Sequence, residues 1–257
     1  MISAIFRGQL GNQMFIAATT MAHAIKNDTT FAFPERSGKR EQFPFYFRPL
    51  FPVVDRTSTQ YLEAPIIQEK RFGVYQELPM EKDMILKGYW QNYRYFIDQK
   101  EWIRDKFYFF KRKHAITKES LHLLSDYVSL HIRRGDSLRF IEKLPQPTDK
   151  YLNEAMECFP GARFLVFTDD LDWCVERFKG SQFSFANPED GAMEAMEMMS
   201  SCSGHIIVNS TFSWWGAFFG SNKVICPSED SWFGDRYKHL LSAEGLMVPG
   251  WTQISYR

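Results

Sequence analysis

"VSLHIRRGDSL", residues 128–138, is an apolar strand that stops at two arginines, a glycine and an aspartate. Side chains alternate along a strand, so residues 128–132 would bury an apolar face in a sheet. Gly135 permits a sharp turn out of the strand. In open α/β sheets ligands bind beyond the carboxyl ends of the strands, which is where Arg133 and Arg134 stand. The stretch therefore predicts a buried strand with a charged ligand site at its end.

The rest of the chain repeats this alternation of strand and helix. Apolar runs predict strands at 2–6, from 85, and at 128–132, 163–168, 205–208 and 224–226. Helical spacing predicts helices at 13–26, 98–126, 149–158, 171–178, 191–201, 213–220 and 237–244, with Asn12 as the N-cap of the first. Strands and helices that alternate in this way are typical of βαβ units and a parallel sheet. We therefore predict an α/β fold.

The composition restricts the classes of partner. The 257 residues contain 31 Lys and Arg against 31 Asp and Glu, so no net charge attracts nucleic acid or anionic lipid. Four cysteines lie far apart without CxxC spacing, so neither zinc nor a redox motif is indicated, and we expect reduced, mostly buried thiols. No apolar run approaches the ~20 residues of a membrane span, and the N-terminus lacks a signal peptide. We expect a cytoplasmic protein, with at most peripheral contact with the inner membrane.

The arginines at the end of the quoted strand form the first candidate site. A guanidinium binds two phosphate oxygens at once, and its charge is permanent. Asp136 would then orient one guanidinium. The alternative is a structural Arg–Asp pair that only caps the strand.

Two further strands end in polar residues. In "FLVFTDD" (164–170), Asp169 or Asp170 would accept two N–H bonds from guanine, or would cap the next helix. Paired carboxylates can also bind a metal, but a diphosphate bound at this edge would already face arginines and would need no cation to neutralise it. In "HIIVNSTFSWWGAFFG" (205–220), a strand leads into hydroxyls at a helix start, which is a ready anion site. The alternative is plain N-capping, with Trp214 and Trp215 in the core.

Three strand ends of one parallel sheet thus offer arginines, a carboxylate and a helix start with hydroxyl groups. Together they predict a site for a nucleoside diphosphate. The chain has neither a GxxxxGK[ST] loop nor a GxGxxG turn between strand and helix. The nucleotide is therefore predicted to be the leaving group of a carrier molecule rather than a source of energy for the protein.

The chain contains, in order, "GQLGNQMF" (8–15), "GYWQNYRYF" (88–96), "HIRRGD" (131–136), "FTDD" (167–170) and "IIVNSTFSWWGAFF" (206–219). In order and spacing these stretches resemble the motifs of the bacterial α-1,2-fucosyltransferases of glycosyltransferase family 11. The resemblance implies a GT-B-like fold of two Rossmann-like halves that face a cleft. Residues 1–120 would form the acceptor-side half, and residues 121–257 would bind GDP-fucose. It also implies inversion at the anomeric carbon, no metal, and no cofactor beyond the donor substrate.

The resemblance also implies roles for single residues. Arg133 matches the arginine that contacts the β-phosphate, and Asn12 matches an asparagine near the acceptor and the sugar. We expect the donor to contact His131, Arg133, Arg134, Asp169, Asp170, Asn209, Ser210, Thr211, Phe212 and Ser213. We expect the acceptor to contact Asn12, Gln13, Trp90, Gln91 and Tyr93. The aromatic side chains among these would stack on sugar rings, or would pack in the core.

The implied reaction is attack by a galactose 2-hydroxyl on C1 of GDP-fucose, on a β-galactoside of a glycan or surface polysaccharide. Arg133 would stabilise the leaving diphosphate, and Asn12 would orient the hydroxyl. The base is Asp136, Glu35 or Glu41, or the proton leaves late without a strong base. Two alternatives stay open, namely another nucleotide-sugar transferase and a non-catalytic nucleotide- or glycan-binding protein on the same fold.

Overall fold

The computed structural model describes residues 1–34, 51–55, 57–108, 122–220 and 222–257. By its internal contacts the chain divides into two compact units. The first comprises Met1–Phe109 and Leu240–Leu246, and the second comprises Phe110–His239 and Met247–Arg257. Leu240–Leu246, a segment from near the C-terminus, therefore belongs to the first unit. The predicted division, with a single boundary after residue 120, does not include this return of the chain. Glu35 and Glu41 lie outside the described residues.

The described part of the first unit is built on a parallel sheet. Its strands are β1 (Ile2–Ile5), β2 (Phe33–Pro34), β3 (Val53–Val54), β4 (Ile66–Gln68) and β5 (Met84–Lys87), and its helices are α1 (Leu10–Lys26), α2 (Thr59–Glu63) and α3 (Lys100–Tyr108). Strands β1, β5 and β4 pair in that order, all parallel, and β2 pairs with β3. Helix α1 is buried over nearly its whole length, which its Ala and Thr residues permit.

The start of α1 differs from the prediction. Asn12 is not the N-cap, because the helix begins at Leu10 and the N-cap is Gln9. The amide of Gln13 already donates to the Gln9 carbonyl at 3.0 Å, so Asn12 lies within the first turn. Gly8 has φ +72°, and this left-handed turn brings the chain from β1 to the N-cap Gln9, one residue after Gly8.

The second unit carries a six-stranded sheet in its described part. The strands are β6 (Tyr127–Ile132), β7 (Arg163–Thr168), β8 (Phe183–Phe185), β9 (Gly204–Ile206), β10 (Lys223–Pro227) and β11 (Thr252–Ile254). Their order is β11-β10-β9-β6-β7-β8, and every pairing is parallel. The helices are α4 (Asp149–Glu157), α5 (Leu171–Arg177), α6 (Ala192–Ser200), α7 (Thr211–Phe219) and α8 (Glu229–Trp232). The parallel sheets of both units confirm the predicted α/β class.

Helices cover both faces of this sheet, as parallel sheets require. On one face Val128, Leu130 and Ile132 of β6 pack with residues of α4 and α5. On the other face Leu165 and Phe167 of β7 pack with the end of α6. The polar residues between the apolar ones of β6 are therefore buried as well.

The C-terminal part of the chain contradicts one prediction and adds one strand. A helix at 237–244 is wrong, because only short 3₁₀ turns occur at Asp235–Tyr237 and Glu244–Leu246. Between these turns Leu241 bridges to Phe72, and the Ser242 amide donates to the Phe72 carbonyl, so the segment is held by the first unit. Strand β11 was not predicted, since its residues are polar and largely exposed.

Two predictions from composition can be compared with the described residues. The four cysteines are free, and Cys174, Cys202 and Cys226 are buried, as expected. Burial raises the pKa of the Cys174 thiol to about 11. Within the described ranges, no helix combines the length and the apolar character that a membrane crossing would need.

Candidate functional site

Three strand ends of the second unit meet at one edge of its sheet, which we call the carboxyl edge: the residues that follow β6, β7 and β9. The register places Ile132 beside Thr168, so Arg133 and Asp169 leave the sheet side by side. Leu130 pairs with Ile206, so the turn into α7 begins next to them. The predicted convergence of the three motifs is therefore found in the structure.

Arg133 is held by Asp136 in the turn that follows β6. Its Nη2 donates to both carboxylate oxygens, at 2.9 Å to Oδ1 and 3.2 Å to Oδ2, and its Nε lies 3.3 Å from Oδ1. The Arg133 side chain is 21% exposed and that of Asp136 44%, so the pair lies at the surface of the edge. Asp136 orients a guanidinium, a contact that both the anion-site prediction and the alternative of a structural pair expect, and its oxygens are engaged in doing so.

Arg134 is bound to the end of β7. Its backbone N–H donates to Asp169 Oδ1 at 2.7 Å, and its Nε donates to Asp170 Oδ2 at 3.0 Å. The guanidinium carbon lies 4.0 Å from the centre of the Trp173 ring, a cation–π distance. Arg134 therefore ties the turn after β6 to the start of α5.

The two aspartates have different surroundings. Asp170 is the N-cap of α5, with Oδ1 3.4 Å from the Trp173 amide, and its Oδ2 accepts from Arg134. Asp169 is exposed, and a Cβ at Gly135 would lie 2.7 Å from its Oδ2. The Asp169 carboxylate therefore lies directly on Gly135, and a larger residue there would displace it. Helix capping, the alternative for this motif, describes Asp170 and not Asp169.

His131 is buried on the other face of β6. Its ring centre lies 5.6 Å from that of Phe212, and its Nδ1 has no hydrogen-bond partner among the described residues. Burial, reinforced by the charge of Arg133, lowers the pKa of His131 to about 3. The ring is therefore neutral near pH 7, with one nitrogen that donates and one that accepts.

The start of α7 presents its polar groups without using them all as caps. Ser210 is the N-cap residue, yet its hydroxyl makes no capping bond and has no partner among the described residues. Ser213 Oγ donates to the Ser210 carbonyl at 3.2 Å. Trp214 and Trp215 are fully buried, as the alternative for this motif expected. Plain capping by Ser210, the other part of that alternative, is not observed.

Asn209 connects three segments behind α7. Its Nδ2 donates to the carbonyls of Pro145 at 2.9 Å and Trp232 at 3.2 Å. Its backbone N–H donates to the Tyr256 hydroxyl at 3.2 Å. The Asn209 side chain thus fixes the loop from which Ser210 and Thr211 emerge.

The predicted acceptor residues lie in the first unit. Asn12 is half-buried, and its Oδ1 accepts from Gln91 Nε2 at 2.8 Å. Gln13 Nε2 donates to the Gly8 carbonyl at 3.1 Å, and Tyr93 is half-buried. Trp90 is fully buried with its ring 5.6 Å from Tyr95, so it is a core side chain and offers no face to a sugar.

One family model decides what kind of protein this is. The model described as glycosyl transferase family 11 matches residues 60–255, more than half of the chain. The chain belongs to glycosyltransferase family 11. Four of the five stretches that carry the resemblance lie inside this range, and "GQLGNQMF" lies before it.

Two sequence relatives support the enzyme class. An alpha-1,2-colitosyltransferase of Escherichia coli is 28% identical over 277 residues, which cover 90% of this chain and 92% of that protein. A galactoside 2-alpha-L-fucosyltransferase of Bos taurus is 22% identical over 97% of this chain and 72% of its own length. The solved structure of fucosyltransferase NodZ from Bradyrhizobium aligns with a TM-score of 0.47 and 14% identity, over 84% of this chain and 90% of that one. The family match and the two sequence relatives show that the chain is a glycosyltransferase, as the sequence predicted.

One functional candidate was missed by sequence reasoning. Glu69 follows β4, and its carboxylate accepts hydrogen bonds from the amides of Gly73, Tyr89 and Trp90. Burial raises the pKa of Glu69, although these amides and the charge of Arg7 oppose the shift. An acid 20 residues before the "YW" pair gives no sequence signal, because only the pairing of β4 with β5 brings them together.

The described residues contain no cluster of three or more His, Cys, Asp or Glu that could hold a metal ion. The donor and acceptor roles of the residues at both sites, and the expectation that no metal takes part, stay predictions.

Proposed function

We propose that this family 11 enzyme is an inverting α-1,2-fucosyltransferase. It would move L-fucose from GDP-fucose to the 2-hydroxyl of a terminal β-galactoside in a glycan or surface polysaccharide. The observation that carries the proposal is the carboxyl edge, where an oriented arginine (Arg133), an exposed carboxylate (Asp169) and the start of α7 come together. The names of both sequence relatives reported above describe transfer of a sugar to a 2-position, which supports the proposed α-1,2 linkage.

Arg133 is proposed to stabilise the leaving group. Attack by the 2-hydroxyl forms a bond to C1 of fucose, while the bond from C1 to the β-phosphate oxygen breaks and GDP takes the electron pair. Negative charge therefore grows on the diphosphate as the bond breaks. A fixed guanidinium then stabilises the transition state more than it stabilises the bound substrate. The two hydrogen bonds from Arg133 Nη2 to the Asp136 carboxylate keep that guanidinium in place before the reaction.

Asp169 is the carboxylate that we assign to the guanine base. Both oxygens of Asp170 already accept hydrogen bonds inside the protein, from Trp173 and Arg134. Asp169 is exposed and uses Oδ1 for the Arg134 amide. Guanine offers N1–H and the 2-amino group on one edge, and a carboxylate accepts from both.

The proton of the acceptor hydroxyl is not assigned to Asp136. Its two oxygens accept from Arg133, so a base role would break the pair that orients the guanidinium. We therefore favour late proton loss, with the Asn12 amide orienting the hydroxyl. Asn12 presents a side chain already fixed by Gln91.

A second donor is favoured by one specific observation. The colitosyltransferase relative aligns over 90% of this chain. Colitose is L-fucose without its 3-hydroxyl, so the two sugars differ by one hydrogen-bonding group. A site that binds one would reject the other only if it contacts that hydroxyl.

The test is a donor and acceptor screen. Purified enzyme receives GDP-fucose, GDP-colitose, GDP-mannose or UDP-galactose with lactose, N-acetyllactosamine or a Galβ1,3-linked disaccharide. We expect GDP release that depends on acceptor, and a product whose new linkage is α-1,2 by NMR. Transfer from GDP-colitose with little from GDP-fucose would establish the second donor. Tight binding of GDP without turnover on any acceptor would instead favour the non-catalytic binding protein.

A further inference from the structure

Glu69 lies at the meeting point of two loops of the first unit. Its Oε1 accepts from the backbone N–H groups of Gly73 and Trp90, both at 3.2 Å, and its Oε2 accepts from that of Tyr89 at 2.7 Å. The side chain is half-buried, so these bonds are partly shielded from water. One carboxylate thus joins the loop after β4 to the loop after β5.

The neighbouring residues are shaped around this carboxylate. A Cβ at Gly88 would lie 2.4 Å from Glu69 Cβ and 2.7 Å from its Oε2, so only glycine fits at the end of β5. Trp90 has φ +55°, a left-handed conformation that residues other than glycine rarely adopt. The bonds from the amides of Tyr89 and Trp90 to Glu69 hold the chain in this conformation.

The turn at Trp90 places the next two side chains. Gln91 is buried, and its Nε2 donates to Asn12 Oδ1 at 2.8 Å. Asn92 is also buried, and its Nδ2 donates to the Gly73 carbonyl at 2.9 Å, which closes the same two loops from the other side. The Gln91 contact determines which way the Asn12 amide faces, because Asn12 Oδ1 must point to the Gln91 Nε2 group that donates to it.

We propose that Glu69 is a positioning residue for the acceptor: through the turn at Trp90 it sets Gln91, and Gln91 sets the Asn12 amide that meets the acceptor hydroxyl. The inference rests on the proposed function, in which Asn12 contacts the acceptor. Glu69 itself touches neither substrate. Its carboxylate is needed because three N–H donors converge on it, and a carboxamide of the same shape would turn its own NH₂ toward one of them.

The first experiment compares Glu69→Gln with Glu77→Gln, which changes an exposed glutamate of the same unit. Initial rates are measured against acceptor at saturating GDP-fucose, and GDP binding is measured by calorimetry. We expect Glu69→Gln to raise the acceptor KM about tenfold, the size of one misaligned hydrogen bond, with GDP affinity within twofold of wild type. Glu77→Gln should match wild type in both. An unchanged acceptor KM, or an equal loss of GDP binding, would overturn the proposal.

A double-mutant cycle with Asn12→Ala tests whether Glu69 acts through Asn12. Residues of one network are not additive, so the double variant should be no worse than Asn12→Ala alone. Losses that multiply would mean that Glu69 acts by another route.

A crystal structure of Glu69→Gln separates this inference from the proposed function. If the wild-type enzyme transfers no sugar from GDP-fucose to any acceptor, the proposed function fails. The positioning role is then decided by the contact between Gln91 Nε2 and Asn12 Oδ1. Loss of the contact in the variant supports the role, and a contact that stays near its 2.8 Å overturns it.

Discussion

Asp136 holds the guanidinium of Arg133 from the side. Arg133 Nη2 lies 2.9 Å from Asp136 Oδ1 and 3.2 Å from Asp136 Oδ2. The two residues are three apart in one turn, so the pair forms locally as soon as β6 ends. A partly exposed ion pair of this kind contributes little to stability. Under the proposed function, its value lies in fixing the direction of a charge that would contact the diphosphate of the donor.

The first prediction concerns this pair. We expect Arg133→Ala to lower kcat by about 10²–10³, because one fixed electrostatic donor to the leaving group is lost. Arg133→Lys should recover only part of the rate, since an ammonium cannot form the same fork. Asp136→Asn should lower kcat less than Arg133→Ala, because the guanidinium remains but is less well oriented. Steady-state kinetics with saturating donor measures all three.

Arg139→Ala is the matched control, since Arg139 is an exposed arginine of the same turn. It should leave kcat unchanged, and circular dichroism should show that each variant is folded. A folded Arg133→Ala enzyme with near-normal kcat would contradict the role given to Arg133.

The second prediction separates Asp169 from Asp170. Inosine diphosphate lacks the 2-amino group of guanine, so its affinity relative to GDP reports the contact to that group. We expect Asp169→Asn to weaken GDP binding about 10- to 100-fold, as for loss of hydrogen bonds to a charged acceptor, and to shrink the preference for GDP. Asp170→Ala should instead lower stability by about 0.5–2 kcal/mol, because it removes the N-cap of α5.

Calorimetry with both nucleotides and urea unfolding of both variants decide this assignment. The reverse pattern, in which Asp170→Ala abolishes the preference and Asp169→Asn keeps it, would give the base contact to Asp170.

The carboxyl edge was predictable because its signals are local. Strand β7 (Arg163–Thr168) begins and ends at the predicted residues, and β6 starts one residue early. Strand β7 is a mostly apolar run and β6 alternates apolar with polar side chains, and charged residues follow both, so the sequence alone indicates each strand and the charged residues at its end. Because the carboxyl ends of parallel strands lie at the same edge of a sheet, these ends are expected on one edge, and the pairing of β6 with β7 and β9 makes them neighbours.

The failures occur where distant contacts decide the structure. Strand β11 is a polar edge strand whose position depends on β10, so no periodicity reveals it. Residues 237–244 have a helical composition, but the segment is bound by Phe72 of the first unit. Glu69 contacts Tyr89 only after β4 and β5 pair, so the sequence gives no sign of this contact.

The third prediction uses two glycines with the same backbone angle. Gly8 and Gly161 both have φ +72°, but a Cβ at Gly8 would lie 2.2 Å from Asn12 Nδ2, and one at Gly161 would meet nothing within 4 Å. Alanine at either position should lower stability by about 1–2 kcal/mol, the cost of a left-handed residue. Only Gly8→Ala should also raise the acceptor KM, because Asn12 must move.

Urea unfolding and acceptor kinetics on both variants measure the two effects separately. Equal acceptor KM values in Gly8→Ala and Gly161→Ala would show that Asn12 does not contact the acceptor.

The last prediction is a loss of stability in mild acid. Burial lowers the pKa of His131 to about 3 and that of His205 to about 4, and it also lowers the pKa of His23. The unfolded chain binds protons near pH 6.5 that the folded chain does not, so this stability is complete above pH 6.5 and is lost progressively as the pH falls from 6.5 towards the folded pKa values. Burial raises the pKa of Glu69, whose contribution has the opposite sign and decreases as the pH rises above 4.5.

Urea unfolding at pH 7.5 and 5.5 tests this with His205→Gln. His205 lies outside the carboxyl edge, and its Nδ1 is 2.8 Å from Ser129 Oγ, a bond that an amide side chain can replace. The variant lacks one buried imidazole, so its free energy of unfolding should fall less between the two pH values. Between pH 7.5 and 5.5 the two decreases should differ by about 1.4 kcal/mol in total, because the unfolded imidazole gains its proton in this interval and the folded one does not. Identical slopes for the variant and the wild type would mean that His205 is already protonated in the folded protein or stays neutral in the unfolded one.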